Sequence, residues 1–285
     1  DYTTQSAWRA KPTEQQKPTS FIASETVAQT LHGYEKNNIY LFLRSKFGAE
    51  ETLRLMKDYR VGTSKHWPGS CVFWQTDING SIRTGKVMLY DAETGKRVKE
   101  PFNHVTWVHS LLRLPDFNLR QCFFGEHLLP MNRGKPVAIV ESEKTSLVGA
   151  YYLPEYVWLA TGGKNGCFNT DALHVLRGRQ VILYPDIGAT DQWRQKLNLL
   201  RSLDIEASIF NYLEEVATDN ERTAGLDIAD YLLQIEPDQA VLQTMIRKNP
   251  MLQKLIDDLQ LTLVSVERYT PDTDAINKTS TPSKQ

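Results

Sequence analysis

Four short apolar runs, separated by polar and glycine-bearing stretches, organise residues 137–211. Val137–Val140 and Val181–Leu183 are continuous and rich in β-branched residues, the composition of a parallel strand buried on both faces. Val157–Ala160 is a third such run and residues 205–210 a fourth. Between them the period changes. Leu147, Tyr151 and Tyr152 mark the inner face of one helix, and Trp193, Leu197 and Leu200, at i, i+4 and i+7, that of another. This alternation predicts an α/β domain: a four-stranded, mostly parallel sheet with helices on both faces and right-handed crossovers.

Upstream, residues 59–135 read as β-rich. Residues 71–74 form an apolar run followed by Asn79-Gly80, a two-residue hairpin turn, and residues 82–90 form the return strand, closed by a turn at 93–95. Further upstream, Ile39, Leu43 and Phe47 give one helical stripe, and Leu53 with Met56 another. Residues 226–261 are helical again and broken at Pro250. The expected divisions are a flexible lead (1–20), a small helical segment (21–58), a β-rich subdomain (59–135), the α/β domain (136–212), a helical extension (213–267) and a disordered Thr-, Ser- and Pro-rich tail (268–285).

Composition narrows the class. A hydrophobic content of 41% supports a sizeable core, and no run approaches the ~18 apolar residues of a membrane helix. The three cysteines, Cys71, Cys122 and Cys167, lack C-x-x-C pairing, which argues against a structural zinc site and for a reducing, cytoplasmic setting. His104 and His109 lie five apart and fit core or surface roles better than metal ligation. A net charge of -1 does not by itself point to nucleic acid. Local basicity says more: Arg83, Lys86, Lys96, Arg97 and Lys99 fall on and around the hairpin, with Trp67 and Trp74 near by. Basic residues interleaved with aromatics can track and stack a single strand, although a solvated hairpin with its aromatics in the core fits the same pattern.

The candidate chemistry sits where strands end. Glu141 follows the first parallel strand and Asp186 the third, and ligands of open parallel sheets lie outside strand carboxyl ends. Two carboxylates delivered there suit a divalent metal and a phosphate ester, since magnesium is held by one or two carboxylates plus substrate phosphates. Asp227 and Asp230, in AGLDIADYLLQ, are further candidates, and Asp191 is a weaker one. Each acid has a plainer reading as a helix N-cap or first-turn residue. Lys144 and Lys164 can meet a phosphate or simply face solvent.

The stretch VAIVESEKTSLVGAYYLPEYVWLATGGKNGC with RQVILYPDIGATDQW resembles the Toprim domain shared by primases, topoisomerases and some nucleases. Glu141 stands at the family glutamate, Asp186 at the first position of the family Asp-x-Asp pair, and Gly162 and Gly163 at the glycine turn after the second strand. Two positions depart: the second aspartate of the pair is Gly188, and the glycine after the glutamate is Ser142. The β-rich region resembles the segment preceding Toprim in bacterial primases, with residues 122–125 (CFFG) at its "Leu-Tyr-Gly" stretch. The phrases GTSKHW, VFWQTDINGSIRTGK, CFFGEHLL and IVESEKT resemble a group of Toprim proteins from Bacteroides-type bacteria, associated with mobile elements and carrying a Cys-rich zinc module ahead of this region. That module is absent here, and a start at Asp1 reads as a fragment of a longer protein.

The resemblance implies a primase-like protein joining nucleotides on single-stranded DNA or RNA during mobile-element or plasmid replication or transfer. Mg²⁺ or Mn²⁺ would be held by Glu141, Asp186, Asp227 and Asp230. Glu141 and Asp186 are the catalytic pair, with general-base work also open to Glu141. Lys144, Lys164, Gly162, Gly163, Arg83 and Lys86 would meet phosphate or nucleic acid. A helicase or other mobile-element proteins are the expected partners, with no membrane involved. The alternatives are a non-catalytic nucleic-acid-binding Toprim module with a degenerate acidic site, favoured by Gly188, and a Toprim nuclease.

Overall fold

The four apolar runs of the α/β region become one sheet. The computed structural model describes residues 17–263 other than 164, 165, 237, 238, 240, 241, 244, 247 and 248, and these divide into two compact units after Gln234. The expected lead and tail lie mostly outside the described residues.

The first unit opens with helices α1 (Ser24–Ala28), α2 (Asn38–Phe47) and α3 (Ala49–Asp58). Asn37 caps α2, its side chain accepting from the Tyr40 amide at 3.3 Å. Ile39, Leu43 and Phe47 are buried as their spacing predicts, whereas α3 buries Thr52, Leu55 and Met56 and leaves Leu53 half-exposed.

Strands β1 (Val61–Thr63), β2 (Cys71–Thr76), β3 (Ile82–Met88) and β4 (Val105–Trp107) form an antiparallel sheet in that order, followed by the single turn α4 (Val108–Leu111). The connection after β2 corrects the two-residue turn expected at Asn79-Gly80. Residues 77–81 form a longer loop because the Asp77 carboxylate accepts from the amides of Asn79 and Ser81 at 3.0 and 2.9 Å. The return strand stops at Met88, short of the expected residue 90.

The second sheet is β5 (Val137–Val140), β6 (Val157–Ala160), β7 (Val181–Leu183) and β8 (Ala207–Ile209), in the order β6-β5-β7-β8 with every pairing parallel. β5 and β7 lie at its centre, which is why their sequences are apolar without alternation. α5 (Glu143–Tyr152) joins β5 to β6, and the short α6 (Thr170–Leu173) joins β6 to β7. α7 (Thr190–Ser202) joins β7 to β8 and buries Trp193, Leu197 and Leu200. These three pack with Leu173, Leu176, Ile139 and Leu183 in one continuous core. β8 is shorter than the run at 205–210. α8 (Tyr212–Val216), α9 (Asp219–Ala224) and α10 (Ile228–Leu232) complete the unit.

The segments flanking the antiparallel sheet join the parallel one through backbone as well as side chains. Phe124 pairs with Ala160 on the outer edge of β6, each amide donating to the other's carbonyl at 3.0 and 3.1 Å. Gly125 follows at φ 86°, and a Cβ there would stand 2.8 Å from the Trp158 carbonyl. The Tyr59 hydroxyl donates to the same carbonyl at 3.1 Å. In the second unit, α11 (Met251–Leu259) begins after Pro250, so that proline starts a helix where its missing N–H costs nothing. No helix among the described residues is long and apolar enough to cross a membrane.

α5 lies close to β6 because Gly149 faces the Trp158 ring, where an added Cβ would come within 2.4 Å of a ring carbon. Gly149→Ala is therefore expected to destabilise the protein by ~1–3 kcal/mol through overpacking, despite the better helix propensity of alanine. The urea-unfolding midpoint of the variant checks this; an unchanged or raised midpoint would refute it.

Candidate active site

Parallel register delivers the acids to one edge. β5 and β7 are neighbours with Val137 opposite Val181 and Ile139 opposite Leu183, so Glu141 and Asp186 both emerge beyond the carboxyl end of the sheet. A cavity of about 520 Å³ opens there. Its acids are Glu141, Glu143, Asp186, Asp227 and Asp230, and its cations Lys86, Lys96, Arg97, Lys99 and Lys144.

Glu141, Asp227 and Asp230 are held by identifiable partners. Glu141 Oε1 accepts from the Trp193 indole N–H at 3.1 Å, so α7 fixes the carboxylate that β5 delivers. Asp227 is the N-cap of α10, accepting from the amides of Ala229 and Asp230, while Asp230 accepts in return from the Asp227 amide at 2.9 Å. This is a capping box, and the plainer sequence reading of these two acids holds. It does not exhaust Asp227, whose other oxygen accepts from the Thr145 hydroxyl of α5. The Ile187 amide donates to the Leu226 carbonyl at 2.9 Å and ties the loop carrying Asp186 to the segment entering Asp227.

The electrostatics follow from this crowding. Burial, then repulsion from Asp227, Glu141 and Asp230, pushes the Asp186 carboxyl up to about 7, against a partial pull from Lys196. Asp227 is also raised, by burial and then by Asp230, with the Thr145 hydroxyl and Lys144 opposing. Carboxylates that hold one another's protons in this way form a site for positive charge. Among the described residues no group of three or more His, Cys, Asp or Glu side chains closes on a single point. Magnesium needs only one or two carboxylates and leaves its remaining positions to water and phosphate, and Glu141 and Asp186 are the residues that could supply them.

The glycine turn is braced from beneath. Lys86, only 7% exposed, donates to both oxygens of Glu143 at 3.1 and 3.2 Å and to the Gly162 carbonyl at 2.8 Å. Its ammonium is thus committed to the protein, although the residue lines the cavity. The Glu141 carbonyl accepts from the amides of Gly162 and Gly163 at 3.1 and 3.0 Å, so the turn closes directly on the strand end. Gly163 lines the cavity with Lys144.

Other residues lie elsewhere. Arg83 faces a separate cavity of about 720 Å³, with Nε on Asp77 at 2.8 Å. Lys164 is outside the described residues. Asp191 pairs with Arg194 and does not line the acidic cavity. Gly188 adopts φ 83° with open space where a Cβ would point. Its amide donates to Glu214 Oε2 at 2.7 Å, and Glu214 also pairs with Arg222.

Sequence reasoning passed over Glu143, Thr145, Trp193 and Glu214 as site residues. Trp193 was legible as a core residue of its helix, but a helical stripe does not show where an indole N–H points. Glu143 lies two residues past Glu141, and that proximity was the available signal.

The fold and site define a mixed α/β protein with an acidic cavity at the carboxyl edge of a parallel sheet, roofed by an antiparallel hairpin region. Residues 37–187 match the family described as Domain of unknown function (DUF6371), and the chain belongs to that family. No functionally curated protein matches it. Among solved structures it is similar to the primase fragment of the bacteriophage T7 primase-helicase protein, at 16% identity over 61% of this chain and 70% of that one (TM-score 0.38). It is also similar to the RNA polymerase domain of Mycobacterium tuberculosis primase DnaG in complex with double-stranded DNA, at 12% identity over 79% and 78% (TM-score 0.48). The E. coli primase catalytic core aligns at 13% identity over 79% and 78% (TM-score 0.37).

Two measurements test this site. Lys86→Met strands the buried Glu143 carboxylate and should cost ~3–5 kcal/mol in urea unfolding, whereas Lys86→Met with Glu143→Leu should recover much of it. The second concerns Asp186. Its folded value of about 7 exceeds the ordinary 3.8, so between these pH values the folded state keeps a proton that the unfolded chain has lost. Its contribution to stability is therefore intact below 3.8 and is lost as pH rises to 7. Asp186→Asn should raise the melting temperature in EDTA by several degrees at pH 8, at roughly 2–4 °C per kcal/mol for this size, and by little near pH 4. An equal change at both pH values would contradict the carboxylate repulsion.

Proposed function

We propose that this protein is a primase-like Toprim protein that carries out magnesium-dependent nucleotidyl transfer on single-stranded DNA or RNA. The observation that carries the reading is the meeting of Glu141, Asp186 and the Asp227–Asp230 pair at one sheet edge, with Asp186 pushed up to about 7 in a cavity also lined by Lys96, Arg97, Lys99 and Lys144. Acids and cations lining one cavity suit a substrate that carries phosphate and brings its own divalent ion.

Glu141 and Asp186 would hold the ion, with Asp227 and Asp230 adding negative charge. A bound magnesium would neutralise charge on the non-bridging phosphate oxygens. The protein's own contributions are positional. Trp193 orients Glu141, Thr145 orients Asp227, and the Lys86–Glu143 pair holds the glycine turn. Lys144 on the cavity wall is placed for a phosphate. The same reading places helices on both faces of the sheet and keeps the divisions at 21–58, 59–135, 136–212 and 213–267. It takes a role in mobile-element or plasmid replication from the sequence resemblance.

A second reading, a nucleic-acid-binding module without catalysis, is favoured by Gly188. The position of the second family aspartate bears no side chain, and its amide is engaged by Glu214. Glu141→Gln separates the two, because glutamine keeps an acceptor for the Trp193 indole while removing charge. For an enzyme, incorporation of nucleotides on single-stranded DNA should fall by about 100-fold or more, manganese affinity by calorimetry should weaken, and DNA affinity should hold. For a binding module, wild type shows no incorporation, and the variant binds DNA as well or slightly more tightly. A protein that binds neither metal nor nucleic acid would defeat both readings.

A further inference from the structure

We propose that Trp67, Phe102 and His104 form a base-stacking platform for a single strand of nucleic acid, reached from the acidic cavity across Lys96, Arg97 and Lys99. This rests on the reading that the cavity works on nucleic acid, and it adds where the strand leaves the cavity and what holds it.

Phe102 is 53% exposed, yet its ring is braced, stacked on His104 at 4.2 Å and 25°. Trp67 meets His104 edge-on at 5.1 Å and lies 6.3 Å from Phe102, with His66 against its own ring at 4.3 Å. His104 is buried, so the inner ring is fixed and the outer one is offered to solvent. Such an arrangement presents a π-face without much side-chain entropy to lose on binding.

The platform is continuous with the cavity. The His104 amide donates to the Val98 carbonyl at 3.3 Å, and Val98 and His104 both pair with Leu89 beyond β3. Lys96, Arg97 and Lys99, which flank Val98, line the acidic cavity. Segment 95–104 holds these three cations and a single acid, Glu100. Among the described residues none of Lys65, Lys96, Arg97 and Lys99 forms an ion pair, so their charge is available to a phosphate chain. The other exposed rings differ. Phe21 lies under Arg83, which is engaged by Asp77, and Tyr212 is close in sequence to Glu214 and Glu215. A cationic track ending at a braced ring suits an unpaired strand, whose bases expose their faces; duplex bases are already stacked.

The test is fluorescence anisotropy of the full chain with a fluorescein-labelled oligothymidylate and with an abasic oligomer of the same length and charge. Phe102→Ala should weaken binding of oligothymidylate about tenfold, leave abasic binding unchanged, and keep the slope against salt. Phe102→Trp should restore the affinity. Lys99→Gln should weaken both ligands and reduce the salt slope by about one. Oligouridylate should lose as much as oligothymidylate, since a ring face does not read the sugar. An equal effect of Phe102→Ala on both oligomers, or no effect on either, overturns the platform. Base preference lost in Phe102→Ala, in a protein with no magnesium-dependent incorporation, would leave the platform standing and remove the enzyme reading. Normal incorporation with unaltered oligothymidylate affinity would do the reverse.

Discussion

One buried ammonium joins the parts of this protein that have to work together. Lys86 comes from the antiparallel sheet, Glu143 from the first turn of α5, and Gly162 from the turn after β6. A lysine this deep is costly unless its donors are all taken, and here three acceptors lie within hydrogen-bond distance. The ion pair requires the antiparallel sheet to sit against the carboxyl edge of the parallel one. That placement brings the cations of residues 96–99 and the acids of the sheet edge to one cavity.

The acids themselves are a source of instability. Asp186 and Asp227 are pushed toward protonation by burial and by their acidic neighbours. Glu141 and Asp227 are held by groups of little charge, the first by an indole N–H and the second by a hydroxyl and a capping box. None of these carries a full positive charge; that comes from Lys144 and Lys196, which oppose the shifts only in part. The loop after Asp186 is secured differently: Glu214 of α8, itself paired with Arg222 of α9, accepts from the Gly188 amide. Position 188 thus offers no side chain, only backbone held by a distant carboxylate.

Most of the parallel sheet was legible because its central strands are buried on both faces, and a short β-branched run has few other uses. Val137–Val140, Val157–Ala160 and Val181–Leu183 form strands at the residues expected, while the edge strand β8, half-buried and less constrained, is shorter than its run. The turn after β2 was misread because Asn79-Gly80 is only a local signal, and the Asp77 carboxylate, by accepting two amides, lengthens the loop. At the sheet edge, Glu141 and Asp186 could be placed from strand ends alone. The commitments of Lys86 and Arg83 could not, since each partner's position depends on how elements far apart in sequence pack.

The pairing of Phe124 with Ala160 bears on folding as well as architecture. It covers the outer margin of β6 at Ala160, so a piece containing only the parallel sheet would leave the amide and carbonyl of that residue unpaired. Such a margin recruits strands from other molecules. Residues 122–125 thus occupy part of a margin that would otherwise stand open, and the β-rich region and the parallel sheet should reach the native state as one cooperative unit.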